Sequence, residues 1–493
     1  MSEATNEATT GILSFGAYIP RLRIARSAIA DGLAWAMPGA RSMGKGERAF
    51  ANWDEDVITM AAEAGRECLR GSAATVNAVQ LASTTFPFLD RSNSGVVADA
   101  LQCGKTLRTE DLAGSRRAAT SALARLALTP AAAESTLLIA SECRETRPGS
   151  PAEMAYGHAA AAVLVGAGEP IAKFRGIGSV HADLVDQYRS AEGEFDYALE
   201  ERWVREEGYL KLIPAAISAA MENAGTNLGE IHRIVLPASA AVARGLARVL
   251  KVGTELFTDP LAAGCGDCGV AHPLLMLASA LESAVPGEQI LVLGFGQGAD
   301  AIVLETTPAL AKLQDGRGVA RTLADKRVID NYTMFLSLRN QIAIDFGMRA
   351  ERDNRTAMSA MYRKRDDISA MMGGRCRECN TLQFPHAAIC VACGARDAQT
   401  PESLSGLTGR VKSYTEDWMA YTPHPPYIYG NVEFVDGANI MLEFTDFEAG
   451  QVEVGREVRM VFRVKDYDHK RNFRRYFWKP APLTATTEET GNG

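Results

Sequence analysis

The chain has 493 residues, of which 47% are hydrophobic, and its net charge is -8. A chain of this length predicts about three domains, and its acidic balance argues against binding nucleic acid or an anionic membrane over much of its surface. The polar start MSEATNEATT has no apolar core of a secretory signal, no long apolar run follows, and an odd number of cysteines, nine, forms no disulfide framework, so we expect a cytoplasmic protein without a membrane span.

Strand-like and helix-like segments alternate from residue 11 to about residue 310. GILSFGAYIP is typical of a strand and turn, and apolar residues recur at helical spacing in DEDVITMAAEAGRECL. Three further short apolar runs each follow a helical segment: STLLIASEC, RIVLPAS and EQILVLGFG. This alternation predicts a layered α/β domain.

The stretch DLAGSRRAATSAL (111–123) indicates a strand end, a tight turn and a helix of small residues. Enzymes often display a nucleophile on such a turn. The turn offers Ser115, Arg116 and Arg117, but no cysteine. Ser115 is a weak candidate, because a serine needs a neighbouring base and an arginine stays protonated.

Two stretches of the α/β region resemble each other. GHAAAAVLV (157–165) and GQGADAIVL (296–304) share glycine and alanine at equivalent places, and each follows another apolar strand. The match is short, but it predicts two similar halves.

A second stretch with chemical potential is GCGDCGVAHPLLMLASAL (264–281). Its glycines allow a close backbone approach, and Pro273 indicates the first turn of a helix. His272 at the start of that helix is expected to be a neutral imidazole, which can donate a hydrogen bond to an oxyanion or take a proton. The alternative is a histidine that only caps the helix or packs in the core. Asp267 lies in the same loop.

After residue 325 the pattern changes twice. Residues 326–372 are charged and helical, which predicts a helical linker. From about residue 404 to 480 the pattern is that of strands, with VDGAN as a hairpin turn. Five strands in so short a segment are typical of a small barrel of the OB type.

Between linker and barrel lie two C-x-x-C pairs, which give four thiolates able to surround one metal ion. With all four positions filled by protein, the metal would be structural zinc. The predicted ligands are Cys376, Cys379, Cys390 and Cys393.

An OB barrel with a zinc ribbon can bind nucleic acid through a basic groove. Residues 397–483 carry 13 acidic and 11 basic side chains, which argues against that use. The basic residues cluster late, and such a cluster forms a solvated face or holds the phosphates of coenzyme A. The candidate CoA-binding residues are Arg471, Arg474, Arg475 and Lys479.

Together these segments resemble known families. Residues 11–325 resemble the hydroxymethylglutaryl-CoA (HMG-CoA) synthases of the thiolase superfamily, in GILSFGAYIPRLRI, DEDVITMAAEA, RPGSPAEMAYGHAAAAVLVG and GFGQGADAIVLE. Residues 373–396 and 397–483 resemble the zinc-ribbon and OB domains that accompany thiolases, in GRCRECNTLQFP, GRVKSYT, PHPPYIYGNVEF and YFWKP. The resemblance implies a duplicated thiolase-like αβαβα domain, a helical linker, a zinc ribbon and an OB barrel, with acyl-CoA as substrate.

The catalytic residues of the synthases are missing at the corresponding positions. The resemblance places their cysteine at Arg116, their glutamate within residues 84–86 and their histidine at Val235. The asparagine that lies beside the oxyanion in the synthases corresponds to Asp267. GVAHPL resembles a thiolase segment, which implies a catalytic position for His272. Arg116 would plug the site or bind a carboxylate or phosphate.

Three hypotheses follow. The first is a subunit of a thiolase-type acyl-CoA acyltransferase, in which a thiolase-like partner chain carries the nucleophilic cysteine. The assembly can also contain a second copy of this chain. The second is an autonomous enzyme that makes or cleaves a C–C bond of a β-keto or β-hydroxy acyl-CoA through His272 and Asp267. The third is a scaffold without catalysis. None of the three predicts a nucleic acid or a membrane as partner.

Overall fold

The computed structural model describes residues 10–129, 134–313, 318–352, 354–355 and 357–483. They form two compact units. The first unit comprises the described parts of Met1–Phe50, Glu63–Gly95 and Cys103–Tyr332, and the second those of Ala51–Ala62, Val96–Gln102 and Thr333–Gly493.

Most strands before residue 330 join one nine-stranded sheet in the order β11-β12-β13-β8-β1-β7-β6-β4-β5. Two small sheets accompany it, β10-β9 and β14-β2-β3. The strands are β1 (Thr10–Tyr18), β2 (Leu22–Ala25), β3 (Glu47–Ala49), β4 (Val76–Ala82), β5 (Arg108–Leu112), β6 (Ser135–Glu142), β7 (Ala159–Ala167), β8 (Ala172–His181), β9 (Gln187–Tyr188), β10 (Tyr197–Ala198), β11 (Arg233–Val235), β12 (Gln289–Phe295), β13 (Gly298–Thr306) and β14 (Arg327–Ile329).

The α-helices vary from three to fifteen residues. They are α1 (Arg26–Gly32), α2 (Val57–Leu69), α3 (Asn93–Ala100), α4 (Ala118–Leu128), α5 (Pro151–Ala155), α6 (Glu201–Trp203), α7 (Leu210–Ala224), α8 (Ala240–Leu250), α9 (His272–Ser283), α10 (Val319–Ala324), α11 (Tyr332–Leu338), α12 (Met358–Arg363) and α13 (Arg365–Ser369).

The predicted duplication is confirmed by the sheet. In one half β4 and β6 run parallel, and β7 and then β1 follow antiparallel. In the other half β11 and β12 run parallel, and β13 and then β8 follow antiparallel. The two stretches that resemble each other in sequence supply β7 and β13, which occupy the same place in their halves.

Helix α9 lies at the centre of the first unit. It is apolar nearly all round and almost every residue of it is buried, as expected for a helix between layers. It contacts α4 and strands β1, β7 and β12. Helix α7 covers the strands β8 and β13. The predicted layered α/β fold is therefore confirmed.

The predicted helical linker is only partly helical. Strand β14 lies within 326–372 and pairs with β2 in parallel, and the helices α11, α12 and α13 there are short. The helical part near the end of this segment is interrupted at Lys364, where α12 ends and α13 begins. Every residue of α12 except Met361 is exposed, so this helix has little buried apolar surface on which to extend.

The second unit contains the ribbon and the barrel. Three strands form a small sheet in the order β16-β15-β17, and five form the barrel sheet in the order β20-β19-β18-β21-β22, as predicted for an OB-type domain. The VDGAN turn joins β19 and β20 with Asp436 and Gly437 at positive φ. The strands are β15 (Met372–Cys376), β16 (Leu382–Gln383), β17 (Gln399–Ser403), β18 (Gly409–Asp417), β19 (Tyr427–Phe434), β20 (Asn439–Glu443), β21 (Glu457–Asp468) and β22 (Phe473–Pro482).

Candidate functional site

The loop before α9 is fixed against the start of β7 by backbone hydrogen bonds. The Asp267 N–H donates to the Ala155 carbonyl, and the Gly157 N–H donates to the Asp267 carbonyl, both at 2.8 Å. A Cβ atom at Gly157 would lie 1.8 Å from the Cys265 carbonyl oxygen, so only glycine permits this approach. The loop therefore presents the Asp267 carboxylate at a defined place.

Arg116 points to that carboxylate from the turn before α4. Its guanidinium donates to Asp267 Oδ2 at 2.5 Å and to Gln187 Oε1 at 3.2 Å. The side chains of Arg116 and Asp267 are 18% and 34% exposed, so solvent still reaches the pair. The structure thus brings the predicted cysteine position and the predicted asparagine position together, but as an ion pair.

The charges of this pair stabilise each other. Burial alone would lower the pKa of Arg116, but the negative charge of Asp267 outweighs it and raises that pKa. Burial would likewise raise the pKa of Asp267, but Arg116, His272 and the Gly269 N–H hold it well below its usual range. Both groups are therefore charged at neutral pH.

Ser115 faces the end of β12 rather than a base. Its hydroxyl donates to the Gly296 carbonyl at 2.9 Å and accepts the Arg117 N–H at 3.3 Å. Arg117 binds the same carbonyl and the buried Asp300. Neither partner of the Ser115 hydroxyl can take up its proton, so the structure gives no support to Ser115 as a nucleophile.

His272 is buried and held by backbone on both sides of its ring. Nε2 lies 2.8 Å from the Pro260 carbonyl oxygen, and Nδ1 accepts the Cys268 N–H at 2.9 Å. Since a carbonyl can only accept, Nε2 carries the hydrogen and the ring is neutral. Burial lowers the pKa of His272, in keeping with the predicted neutral form. Both ring nitrogens are occupied, so this histidine caps and packs the start of α9.

Sequence reasoning missed a buried carboxylate near residues 84–86. Glu142 ends β6, and its carboxylate accepts the Thr84 hydroxyl at 3.0 Å and the Thr85 hydroxyl at 2.5 Å. Residues 84–86 are where the resemblance placed a catalytic glutamate. The sequence signal was available, because Glu142 is a charged residue that follows the apolar run LLIA in β6, and charged residues are seldom buried unless they are paired.

The β9–β10 hairpin segment contributes polar side chains that contact Arg116 and its neighbours. Gln187 accepts the Tyr156 hydroxyl at 3.0 Å as well as the Arg116 guanidinium. Asp196 forms an ion pair with Arg144 at 2.6 Å. These polar contacts bring together segments that are far apart in sequence around the Arg116–Asp267 pair.

The predicted CoA-binding residues do not form an open basic site. Each of them is paired with a carboxylate of the second unit, and Lys479 is only 1% exposed. A phosphate would have to displace these partners, so the charge cluster stabilises the barrel. The partners are Asp468 for Arg471 (2.8 Å), Asp56 for Arg474 (2.9 Å), Asp466 for Arg475, and Asp54 and Glu443 for Lys479 (3.0 and 2.9 Å).

The four cysteines of the ribbon converge. Their Sγ atoms all lie within 4.8 Å of one another. Each C-x-x-C pair forms the same turn, in which the Asn380 N–H donates to the Cys376 carbonyl at 2.9 Å and the Gly394 N–H to the Cys390 carbonyl at 3.0 Å. Both Asn380 and Gly394 have positive φ. Four thiolates in this arrangement fit a structural zinc ion and leave no position for substrate.

Comparison with known proteins finds relatives for the N-terminal part, the ribbon and the barrel. Residues 371–398 match the family described as the rubredoxin-like zinc ribbon domain of ChsH2, and residues 402–463 match the C-terminal OB-fold domain of ChsH2. A hydroxymethylglutaryl-CoA synthase of Caldivirga maquilingensis is 29% identical over 354 residues, which are 68% of this chain and 99% of the relative. The N-terminal part is thus similar to HMG-CoA synthases.

Solved structures confirm the fold of that part. An HMG-CoA synthase in complex with CoA covers 71% of this chain and 94% of its own, with a TM-score of 0.59 and 15% identity. PksG, an HMG-CoA synthase from Bacillus subtilis, covers 70% and 95%, with a TM-score of 0.59 and 16% identity. No helix within the described residues is long and apolar enough to cross a membrane.

Proposed function

We propose that this chain is the HMG-CoA synthase-like subunit of a thiolase-type acyl-CoA acyltransferase. The enzyme makes or cleaves a C–C bond in a β-keto acyl-CoA, and a thiolase-like partner chain supplies the nucleophilic cysteine. The observation that carries the proposal is the ion pair between Arg116 and Asp267. It occupies the position at which the resemblance places the cysteine of the synthases.

The residues around that pair offer no replacement at the same position. A guanidinium stays protonated and cannot attack a thioester, and the Ser115 hydroxyl donates to a backbone carbonyl. His272 has no ring nitrogen left for a substrate. These contacts also weaken the alternative of an autonomous aldolase that uses His272.

The acyl-CoA substrate is inferred from the relatives. The similar proteins are HMG-CoA synthases, and one of the structures with the same fold contains CoA. We assign assembly of the complex, rather than phosphate binding, to the ribbon and barrel, because the basic side chains of the barrel are already paired with carboxylates. Zinc, bound by Cys376, Cys379, Cys390 and Cys393, would hold the ribbon together.

The first test is to express the chain alone and together with a candidate thiolase-like partner chain, and to measure native mass and thiolysis of acetoacetyl-CoA and of a longer 3-ketoacyl-CoA. We expect a stable hetero-complex that is active only when both chains are present. Replacing the nucleophilic cysteine of the thiolase with alanine should abolish activity without dissolving the complex.

Two results would contradict the proposal. One is thiolysis by the purified chain alone. The other is a complex that keeps its activity after the partner has lost its cysteine. A chain that is self-sufficient as a homo-oligomer would return attention to the alternative of an autonomous enzyme.

A further inference from the structure

The first unit has a partly exposed cysteine, Cys143, at a place other than the one where the resemblance puts the catalytic cysteine. Cys143 directly follows β6. Cys68, Cys265 and Cys268 are buried, and Cys103 is the other partly exposed thiol of this unit. Burial raises the pKa of Cys103 to about 11, so that thiol is a poor nucleophile at neutral pH.

Cys143 differs from Cys103 in having an imidazole beside it. Its Sγ lies 3.4 Å from His158 Nδ1, and His158 Nε2 lies 3.0 Å from the Arg144 carbonyl oxygen. Because that carbonyl only accepts, Nε2 carries the ring hydrogen. In the neutral ring the unprotonated Nδ1 therefore faces the thiol and can take its proton. A nucleophile, a base and a group that orients the base are the parts of an activated cysteine.

The backbone and a threonine hold both side chains in this relation. The His158 N–H donates to the Ala49 carbonyl at 3.1 Å. The Cys143 N–H donates to Thr85 Oγ1 at 3.0 Å, and the Thr85 hydroxyl donates to the Glu142 carboxylate. The thiol thus lies at the same strand end as the carboxylate that sequence reasoning missed.

Hydrogen bonds connect the segment before His158 with the residues around Arg116. Tyr156, two residues before His158, donates its hydroxyl to Gln187, which also accepts from Arg116. The isolated bridge between Tyr156 and Asp267 ties the same backbone to the loop before α9. The backbone that leads to His158 is therefore tied to the Arg116–Asp267 pair.

We infer that Cys143, with His158 as its base, accepts an acyl group from an acyl thioester. That the thioester is one of CoA rests on the proposed function. His158 Nδ1 takes the Sγ proton, the thiolate attacks the thioester carbonyl, a C–S bond to Cys143 forms, and the C–S bond to the leaving thiol breaks. The leaving thiolate takes the proton from His158, so the products are acyl-Cys143 and the free thiol. C–C bond chemistry stays with the partner chain.

The test uses the full chain with its zinc retained. It is incubated at neutral pH with the acetyl thioester of N-acetylcysteamine and, separately, with acetyl-CoA, and acetylation is followed by intact mass and peptide mapping. Three variants accompany the wild type. Cys143→Ser removes the thiol, and His158→Gln keeps a donor for the Arg144 carbonyl but cannot take a proton. Cys103→Ser is the matched control.

We expect one acetyl group, on Cys143, from both reagents. It should be absent in Cys143→Ser, unchanged in Cys103→Ser and slower by about 100-fold or more in His158→Gln, as expected when a general base is removed. Acetylation of another residue, or a rate that His158→Gln leaves unchanged, would overturn the inference.

The two reagents separate this inference from the proposed function. Acetylation by the cysteamine thioester without any by acetyl-CoA supports the Cys143–His158 pair and contradicts the choice of CoA substrate. Failure with both reagents, while calorimetry shows that CoA binds, overturns the role of Cys143 and leaves the proposed function intact.

Discussion

Each unit contains a group of paired opposite charges, and the two groups differ in how far their side chains are exposed to solvent. In the first unit Arg116 and Asp267 face each other with 18% and 34% of their side chains exposed. In the second unit the side chains of Lys479, Asp54 and Arg463 are at most 1% exposed.

Lys479 in the buried group has partners on several sides. Lys479 contacts Asp54 at 3.0 Å and Glu443 at 2.9 Å, and its ammonium lies 4.4 Å from the centre of the Trp53 ring. Burial would lower the pKa of Lys479, but the two carboxylates outweigh it and raise that pKa. Buried charges that are paired are costly to separate, whereas a pair that water reaches can exchange partners with a ligand.

The largest effect should come from breaking the buried group. Lys479→Met leaves Asp54 and Glu443 without their shared cation, and we expect a loss of about 3–5 kcal/mol in the free energy of unfolding. Lys412→Met is the control, since the Lys412–Glu433 pair is exposed and its loss should cost less than about 1 kcal/mol. Urea unfolding of both variants measures the difference. Equal losses would contradict a special role for the buried group.

The partly exposed pair should give a smaller loss of stability. Asp267→Asn keeps the shape of the side chain but leaves Arg116 with a weaker partner, and we expect a loss of about 2 kcal/mol in the free energy of unfolding. The same variant frees the guanidinium for an anion, so thermal unfolding should become more sensitive to added acetate than in the wild type. A loss as large as that of Lys479→Met would mean that the pair is structural.

The comparison also shows which features sequence reasoning can reach. The period of apolar residues predicted β1, α2 and β6, because each element buries a local pattern. The zinc site was predictable because its ligands come in two close pairs with a fixed spacing.

The environment of each charge could not be predicted in this way. The basic residues near the end of the chain were interpreted as a solvated face or a phosphate site, yet Asp54, the partner of Lys479, lies 425 residues away in sequence. Likewise 58 residues separate Glu142 from Thr84. Such pairings depend on how distant segments of the chain come together in the fold, and the local pattern of one sequence does not contain that arrangement.

The smallest effect should be a pH dependence at His272. Its pKa is lowered by burial, with Asp267 opposing and Arg116 adding to the shift, so the unfolded chain binds a proton more readily than the folded one. Stability should therefore be complete above the ordinary histidine pKa of about 6.5 and fall as pH drops below it. Asp267 stays charged throughout this range, because its own pKa is held well below the usual one.

We expect thermal unfolding temperatures between pH 8 and 5 to fall less steeply in His272→Gln than in the wild type. His232→Gln is the control at an exposed histidine, and its unfolding temperatures should follow those of the wild type. Equal slopes for the wild type and His272→Gln would mean that His272 takes up its proton as easily in the fold as outside it, and a histidine open to protons in this way would again be a candidate base.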